Sequence, residues 1–450
     1  MEKIKNIHFL GIGGISQSAL AIILKDFGYF VSGSDATNTR TIARLEEVGI
    51  PVTIGAVSPY IEKCDLVVVS AAIKDDDIEL IKCKTLNKHI ISRADALGFV
   101  SRKFRNVISV AGSHGKTTTT GMISKIFLEA NKNPTIHIGG ELNCIKSNVL
   151  VGNKDYFITE ACEYVDSFLN LKSDVSVILN VQEDHMDYFK TFSNLKKSFT
   201  KFANKTKKGG LVVFNADDVN AYLKHSRLAV GFSVEGKGLV NAYNIKEYQK
   251  GKYCFNVKML GLRLGKFKIG AYGKHNVYNA LASIIVALYF GINLKDIKRG
   301  LYKFTGVKRR FELYGVKKGV MVVHDYAHHP TEIKATLDLA KRVKRRVHIV
   351  FQPHTYSRTK ALLDEFAYCF RGAESISVYK TYPAREDKSQ GVDQNGLVSH
   401  IVKKGDVAYA FENYDKMLEH LTLRMYKGDM LLILGAGDIE SFAKYFMDKF

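Results

Sequence analysis

Short apolar runs recur along the chain, each ending in glycine or a polar turn and followed by a stretch in which apolar positions return every three or four residues. The first run, Ile4 to Leu10, leads through a glycine-rich turn into a helical repeat from Ile15 to Phe27, then into a second run from Tyr29 to Gly33. Apolar runs of about 4–8 residues read as buried strands, and a repeat of about 3.6 residues as the helices that cover them. Their alternation from end to end predicts an α/β fold built on parallel sheets rather than separate all-α or all-β modules. Further strands are expected at Cys64 to Ser70, His89 to Ser92, Asn106 to Ala111, Asp155 to Thr159, Val175 to Asn180, Leu211 to Phe214, Val320 to His324, Arg346 to Gln352 and Met430 to Leu434.

The basic stretch Ser101-Arg-Lys-Phe-Arg105 separates the first series from a fresh strand and marks a boundary, and a third series begins beyond Gly306. The resulting segments are 1–104, 105–306 and 307–450, in keeping with a length of 450 residues that exceeds what one hydrophobic core organises. Tyr253 to Met259 and Arg263 to Ile269 flank a glycine-containing turn and predict an antiparallel hairpin. The longest apolar stretch, Ala280 to Ile292, carries Ser283 and falls short of the ~18–20 residues that cross a bilayer, so it reads as part of a buried helix.

Composition narrows the class. With 46% hydrophobic and 25% charged residues and only 6 prolines, collagenous and low-complexity proteins are excluded. The N-terminal residues show no apolar export core, and the six cysteines are scattered without metal-ligand spacing, which together predict reduced thiols and a cytoplasmic protein. A net charge of +21 is dispersed in small knots such as Lys341-Arg-Val-Lys-Arg-Arg346. That distribution predicts a solvated basic surface rather than a nucleic-acid site, and a polyanionic small substrate such as a nucleotide would profit from the field.

Candidate chemistry sits where strands hand over to helices. Gly11-Ile12-Gly13-Gly14 can turn backbone N–H groups toward a phosphate; Asp35, 22 positions beyond Gly13, stands where a ribose-binding acid would, but Ser16 replaces the third glycine of a dinucleotide fingerprint. A nucleotide phosphate, a dinucleotide and a plain tight turn all fit that segment. Gly112-Ser113-His114-Gly115-Lys116-Thr117-Thr118 is more specific, since it sets amide donors, a lysine and a hydroxyl around a β/γ-phosphate and its Mg²⁺, although Val110 breaks the usual spacing. Glu160 and His185 fall at the carboxyl ends of predicted strands, where open sheets place ligands, and are candidates for metal. His324-Asp325-Tyr326-Ala-His328-His329-Pro330-Thr-Glu332 admits a zinc cluster, a substrate site or a helix cap built on Pro330, and Arg358 can pair with a carboxylate or phosphate.

Taken in order, Gly11 to Gly14, Gly112 to Thr118, Glu160-Ala-Cys-Glu163, Asp184-His-Met-Asp187, Lys274-His-Asn-Val-Tyr-Asn279, Arg309-Arg-Phe-Glu312, Asp325 to Glu332 and Phe351-Gln-Pro-His354 resemble the Mur ligases over essentially the whole chain, and most nearly the members that add L-alanine. The resemblance implies three domains: a Rossmann-like UDP-sugar-binding domain over 1–104, a central P-loop ATPase over 105–306 and a Rossmann-like domain binding the amino acid over 307–450. It implies ATP-dependent joining of L-alanine to the lactyl carboxylate of UDP-N-acetylmuramate through an acyl phosphate, with two Mg²⁺ ions, in a monomer or weak homodimer. By match, Lys116 would bind the β/γ-phosphates within the loop Gly112 to Thr118. Thr117 and Glu160 would hold the first Mg²⁺ and His185 the second. Asn276 and Asn279 would face ATP, Arg310 the transferred phosphoryl group and Asp325 the ribose. Tyr326, His328 and Arg358 would surround the alanine, and Gly11, Ile12, Gly13, Gly14, Asp35 and Ser70 the UDP-sugar. Some relatives carry arginine where Thr355 stands.

Three other readings are open to test. A murein-recycling ligase would add a tripeptide to the same sugar nucleotide and differ in its acceptor pocket. A nicotinamide-dependent oxidoreductase would use Gly11 to Gly14 with Asp35 but leaves Gly112 to Thr118 unexplained. A polyanion binder would rest on the charge of +21 alone.

Overall fold

The structure is a computed structural model that describes residues 4–249, 251–384 and 386–450, without the Asp187 side chain. Three sheets follow one another along the chain. The first is wholly parallel, with β1 (Asn6–Leu10), β2 (Phe30–Asp35), β3 (Val52–Ile54), β4 (Leu66–Val69) and β5 (His89–Ser92) in the order β3-β2-β1-β4-β5. The order reverses at β1, and the crevice at the carboxyl end of such a reversal is where open α/β sheets bind ligands. Gly33 on β2 is required there, because a Cβ would lie 2.5 Å from the Ile12 side chain that fills the space above it.

The second sheet has ten strands: β6 (Asn106–Ala111), β7 (Thr135–Leu142), β8 (Ser147–Leu150), β9 (Tyr156–Glu160), β10 (Val175–Ile178), β11 (Leu211–Asn215), β12 (Leu228–Ser233), β13 (Val240–Gln249), β14 (Lys252–Met259) and β15 (Leu262–Tyr272). Their order is β15-β14-β13-β12-β11-β10-β6-β9-β7-β8. The predicted hairpin is present as β14 and β15, antiparallel about Gly261 with φ 88°. The strands between are parallel as expected, and β7 and β8 also pair antiparallel at the other edge. Edge strands face solvent on one side and so lack the continuous apolar runs by which the central strands announce themselves. The helix Asn276–Tyr289 is buried along most of its length, and Ser283 satisfies its hydroxyl on the Asn279 carbonyl at 2.7 Å.

The third sheet comprises β16 (Glu312–Lys317), β17 (Val320–Asp325), β18 (Val347–Phe351), β19 (Ser375–Tyr379), β20 (Ala408–Phe411) and β21 (Met430–Leu434), in the order β16-β17-β21-β18-β19-β20. Only the edge strand β16 runs antiparallel.

The chain parts into two compact units whose main boundary lies between Thr305 and Gly306. The first two sheets therefore share one unit, and a single apolar cluster runs through both. Phe104 stacks on Phe157 with centroids 4.8 Å apart and meets Phe27 at 5.6 Å, and Gly98 packs so closely that a Cβ would sit 2.7 Å from the Asn170 carbonyl oxygen. The second unit has its own core, built on Val322, Val350, Leu431, Ile433, Phe442 and Phe446. Among the described residues no helix is long and apolar enough to cross a membrane.

Candidate active site

Strand β6 ends at Ala111 and the helix Lys116–Glu129 starts five residues later, so the chain must turn within Gly112 to Gly115. Two glycines permit it: Gly112 has φ 140° and Gly115 φ 86°, in the left-handed region that side chains disfavour. The turn is braced from the end of β10. The Asn180 side chain accepts from the His114 amide at 2.8 Å and donates to the His114 carbonyl at 3.0 Å, while the Ser113 hydroxyl donates to the Gln182 carbonyl at 3.0 Å. Gly115 also caps the helix without a side chain, leaving the first amides open to an anion. The buried Asn279 lies against it, 2.9 Å from where a Gly115 Cβ would be, and hydrogen-bonds Asn276.

Lys116 leaves the first position of that helix and donates to both oxygens of Glu163 at 2.9 and 3.0 Å and to the Gly112 carbonyl at 2.6 Å. Burial opposes its charge, but Glu163, with Cys162 and Glu160, outweighs that and holds the ammonium above the ordinary lysine value. Thr117 donates to Glu160 at 3.1 Å, and the Gly139 amide donates to the other Glu160 oxygen at 2.6 Å. His185, on a left-handed backbone with φ 54°, gathers with Asp184 and Glu163 so that one ligand atom of each lies within 4.8 Å of the others. The three residues expected to hold metal are thus arranged as a Thr117–Glu160 pair and a separate His185 group. Hydroxyl and carboxylate oxygens suit Mg²⁺, and the imidazole is the less usual ligand. Sequence reasoning quoted Glu163 and Asp184 within motifs but gave them no role; their pairing with Lys116 and His185 depends on the sheet, not on local spacing.

In the first sheet, the Gly11 and Ile12 amides donate to the Ser34 carbonyl at 2.9 and 3.0 Å and the Gly13 amide to Asp35 at 2.9 Å. Asp35 is thereby a brace of the turn. Ser70 closes its other side, 3.1 Å from where a Gly11 Cβ would lie. The Ile12 side chain is fully buried, so among the residues expected to meet a UDP-sugar it offers only its backbone. Gly14 caps the helix Ile15–Asp26 with no side chain, as Gly115 does for its helix.

In the second unit, buried Asp325 accepts from the Phe311 and Ala327 amides at 2.7 and 2.8 Å. Burial raises its carboxyl, against the pull of Arg310 and those amides. Arg310 lies over the Tyr326 ring at 5.6 Å, Tyr326 packs on His328 at 5.4 Å, and His328 on His354 at 5.8 Å. Arg358 donates to His354 at 3.2 Å. Burial and the neighbouring Arg358 pull His354 down to about 4, and burial lowers His328, so both rings are neutral. His329 and Pro330 form the cap of the helix Pro330–Arg342, with Glu332 closing a capping box, while His324 is sealed in the core. The helix-cap reading therefore holds for part of this segment. Among the described residues, the three histidines form no metal cluster.

Comparison with known proteins agrees with this layout. The Mur ligase family catalytic domain matches residues 6–105, the Mur ligase middle domain residues 110–287, and the Mur ligase glutamate ligase domain residues 309–437. A UDP-N-acetylmuramate--L-alanine ligase from Caldanaerobacter subterraneus subsp. tengcongensis is 44% identical over 453 residues, covering 100% of this chain and 98% of that protein. One from Acetivibrio thermocellus is 41% identical over 452 residues, covering 99% and 96%. Among solved structures, UDP-N-acetylmuramate-alanine ligase from Thermotoga maritima superposes with TM-score 0.82 at 27% identity, covering 99% of this chain and 98% of that one. A murein peptide ligase from Psychrobacter arcticus shares the fold, with TM-score 0.73 at 24% identity over 99% and 98%. With three successive family domains matched and relatives above 40% identity along its whole length, the chain belongs to the Mur ligase family.

Proposed function

We propose that this chain joins L-alanine to the lactyl carboxylate of UDP-N-acetylmuramate with cleavage of ATP, giving UDP-N-acetylmuramoyl-L-alanine, ADP and phosphate in peptidoglycan synthesis. Full-length relatives of that name support the reaction. The observation that carries it in the structure is Lys116 at the head of a glycine-capped helix, with Thr117 hydrogen-bonded to Glu160 beside it.

Phosphoryl transfer needs positioning and charge neutralisation more than covalent help. The amides of Gly112 to Thr118 and the Lys116 ammonium would hold the β- and γ-phosphates, and Asn276 and Asn279 would support the nucleotide from behind Gly115. Thr117 with Glu160, and His185 with Glu163 and Asp184, would hold the two Mg²⁺ ions, whose chemistry is to offset charge on the transferred phosphoryl oxygens. The carboxylate oxygen attacks the γ-phosphorus and ADP departs, which leaves an acyl phosphate. The amine of L-alanine then attacks the acyl carbon, phosphate leaves and the amine sheds its proton. Arg310 would meet the phosphoryl group, Arg358 the alanine carboxylate, and Tyr326 with neutral His328 the amine. Asp325 would face the ribose, and the Gly11 to Gly14 turn, with Asp35 and Ser70, the UDP moiety. Domains bounded at 1–104, 105–306 and 307–450, and a cytoplasmic location, belong to the same reading.

The test is phosphate release with ATP, Mg²⁺ and UDP-N-acetylmuramate, comparing L-alanine, a tripeptide and no acceptor. Release that requires both the sugar nucleotide and L-alanine is the expected result. Dependence on tripeptide would move the chain to the recycling reaction, and indifference to the sugar nucleotide would overturn the reading.

A further inference from the structure

Between the first glycine turn and the Glu160 strand end runs a hydrogen-bonded chain to which the reaction above gives no role. Arg93, the first residue of the helix Arg93–Ser101, donates to the Ser16 hydroxyl at 3.2 Å. Ser16 lies 2.9 Å from His137 Nε2, and His137 Nδ1 lies 2.9 Å from the Thr159 hydroxyl. Thr159 in turn donates to the Glu160 carbonyl at 3.0 Å. The proton order follows from the two ends. A guanidinium only donates, so Ser16 accepts from Arg93 and spends its own proton on Nε2; Thr159 has spent its proton on Glu160, so it accepts from Nδ1–H. Every link has one donor and one acceptor, with a neutral histidine in the middle. His137 is buried on β7, two residues before the Gly139 amide that holds Glu160. A second tie, from Asn148 to the Ile15 carbonyl at 2.6 Å, fixes the same helix start to the same sheet.

The guanidinium at the end of this chain is half-buried and, among the described residues, has no carboxylate partner. Arg93 meets Ser16 just past the Gly11 to Gly14 turn, and the relay it starts ends at Glu160, which accepts from Thr117 of the phosphate loop, so Arg93 belongs to the path that joins the UDP-side turn to that loop. On the ligase reading, that is where an anionic carboxylate must approach an anionic γ-phosphate, and a planar fork is the side chain best shaped to hold a carboxylate.

Resting on that reading, we propose that Arg93 grips the lactyl carboxylate of the sugar nucleotide, aimed by Ser16 and His137. Calorimetric binding of UDP-N-acetylmuramate and of UDP-N-acetylglucosamine, which lacks the lactyl group, tests this without turnover. Arg93→Ala is expected to weaken the first by about 10- to 100-fold and leave the second, and ADP, unchanged. Arg93→Lys should recover part of the loss, and Ser16→Ala should show a smaller loss confined to the lactyl nucleotide. Equal losses for both sugar nucleotides would make Arg93 a support of the turn and overturn the proposal, as would no loss. A wild-type protein with no preference for the lactyl nucleotide would instead remove the substrate reading, and the Arg93 assignment with it.

Discussion

The placement of Lys116 and Thr117 at the head of a helix was legible in the sequence because it is local: a lysine and a hydroxyl follow directly on a glycine turn. Glu163 was not, since its pairing with Lys116 joins residues 47 apart through the neighbouring strands β6 and β9. Asp35 and Ser70 were found as positions, but the bond from the Gly13 amide to Asp35 appears only once the first sheet is folded. Lys116→Ala is expected to lower phosphate release by about 100- to 1,000-fold with the fold intact, as removal of one charge-stabilising donor does; steady-state kinetics alongside circular dichroism checks it. Glu163→Gln should cost stability, because it leaves an ammonium with 18% side-chain exposure beside a site that no longer neutralises it. A loss of about 3 kcal/mol in denaturant unfolding is the expected size.

At the level of elements, strands whose apolar residues run together were placed within a residue or two: β5, β6 and β21 coincide with their predicted limits. Short or alternating strands such as β3, β8 and β16 were missed, since a half-exposed edge resembles a loop in hydropathy alone. The glycine turns are the elements on which the site depends, and Gly115 is the sharper case. Gly115→Ala would force a side chain into φ 86° and against Asn279 Oδ1. The expected result is a loss of about 1–3 kcal/mol in stability together with weaker ADP binding, read by thermal melting and calorimetry.

For the molecule as a whole, three segments were legible but not the fusion of the first two, because Phe27, Phe104 and Phe157 meet only in three dimensions. A fragment ending at residue 104 is therefore expected to expose apolar core and fail to unfold cooperatively, whereas residues 307–450, with their own core, should melt as a unit; calorimetry of the two fragments decides. Acid should act on the whole molecule too. His8, His137 and His324 are each drawn from 6.5 to about 4, first of all by burial. Their folded pKa lies below the unfolded value, so between pH 6.5 and 4 the unfolded chain binds more protons and stability falls as pH falls. Each accounts for a change on the order of 3 kcal/mol across that whole interval, and His324→Phe should flatten the dependence in denaturant titrations between pH 7 and 4.5.

The bond between Lys116 and Glu163 also has a consequence for product inhibition. An anion that seeks the Lys116 ammonium must compete with a carboxylate already tethered to it, at the high local concentration that tethering gives. Orthophosphate, small and without further anchoring contacts, is a poor competitor, whereas a nucleotide brings contacts along its whole length. Turnover should therefore persist in millimolar phosphate, so that the enzyme's own by-product does not throttle it in a phosphate-rich medium.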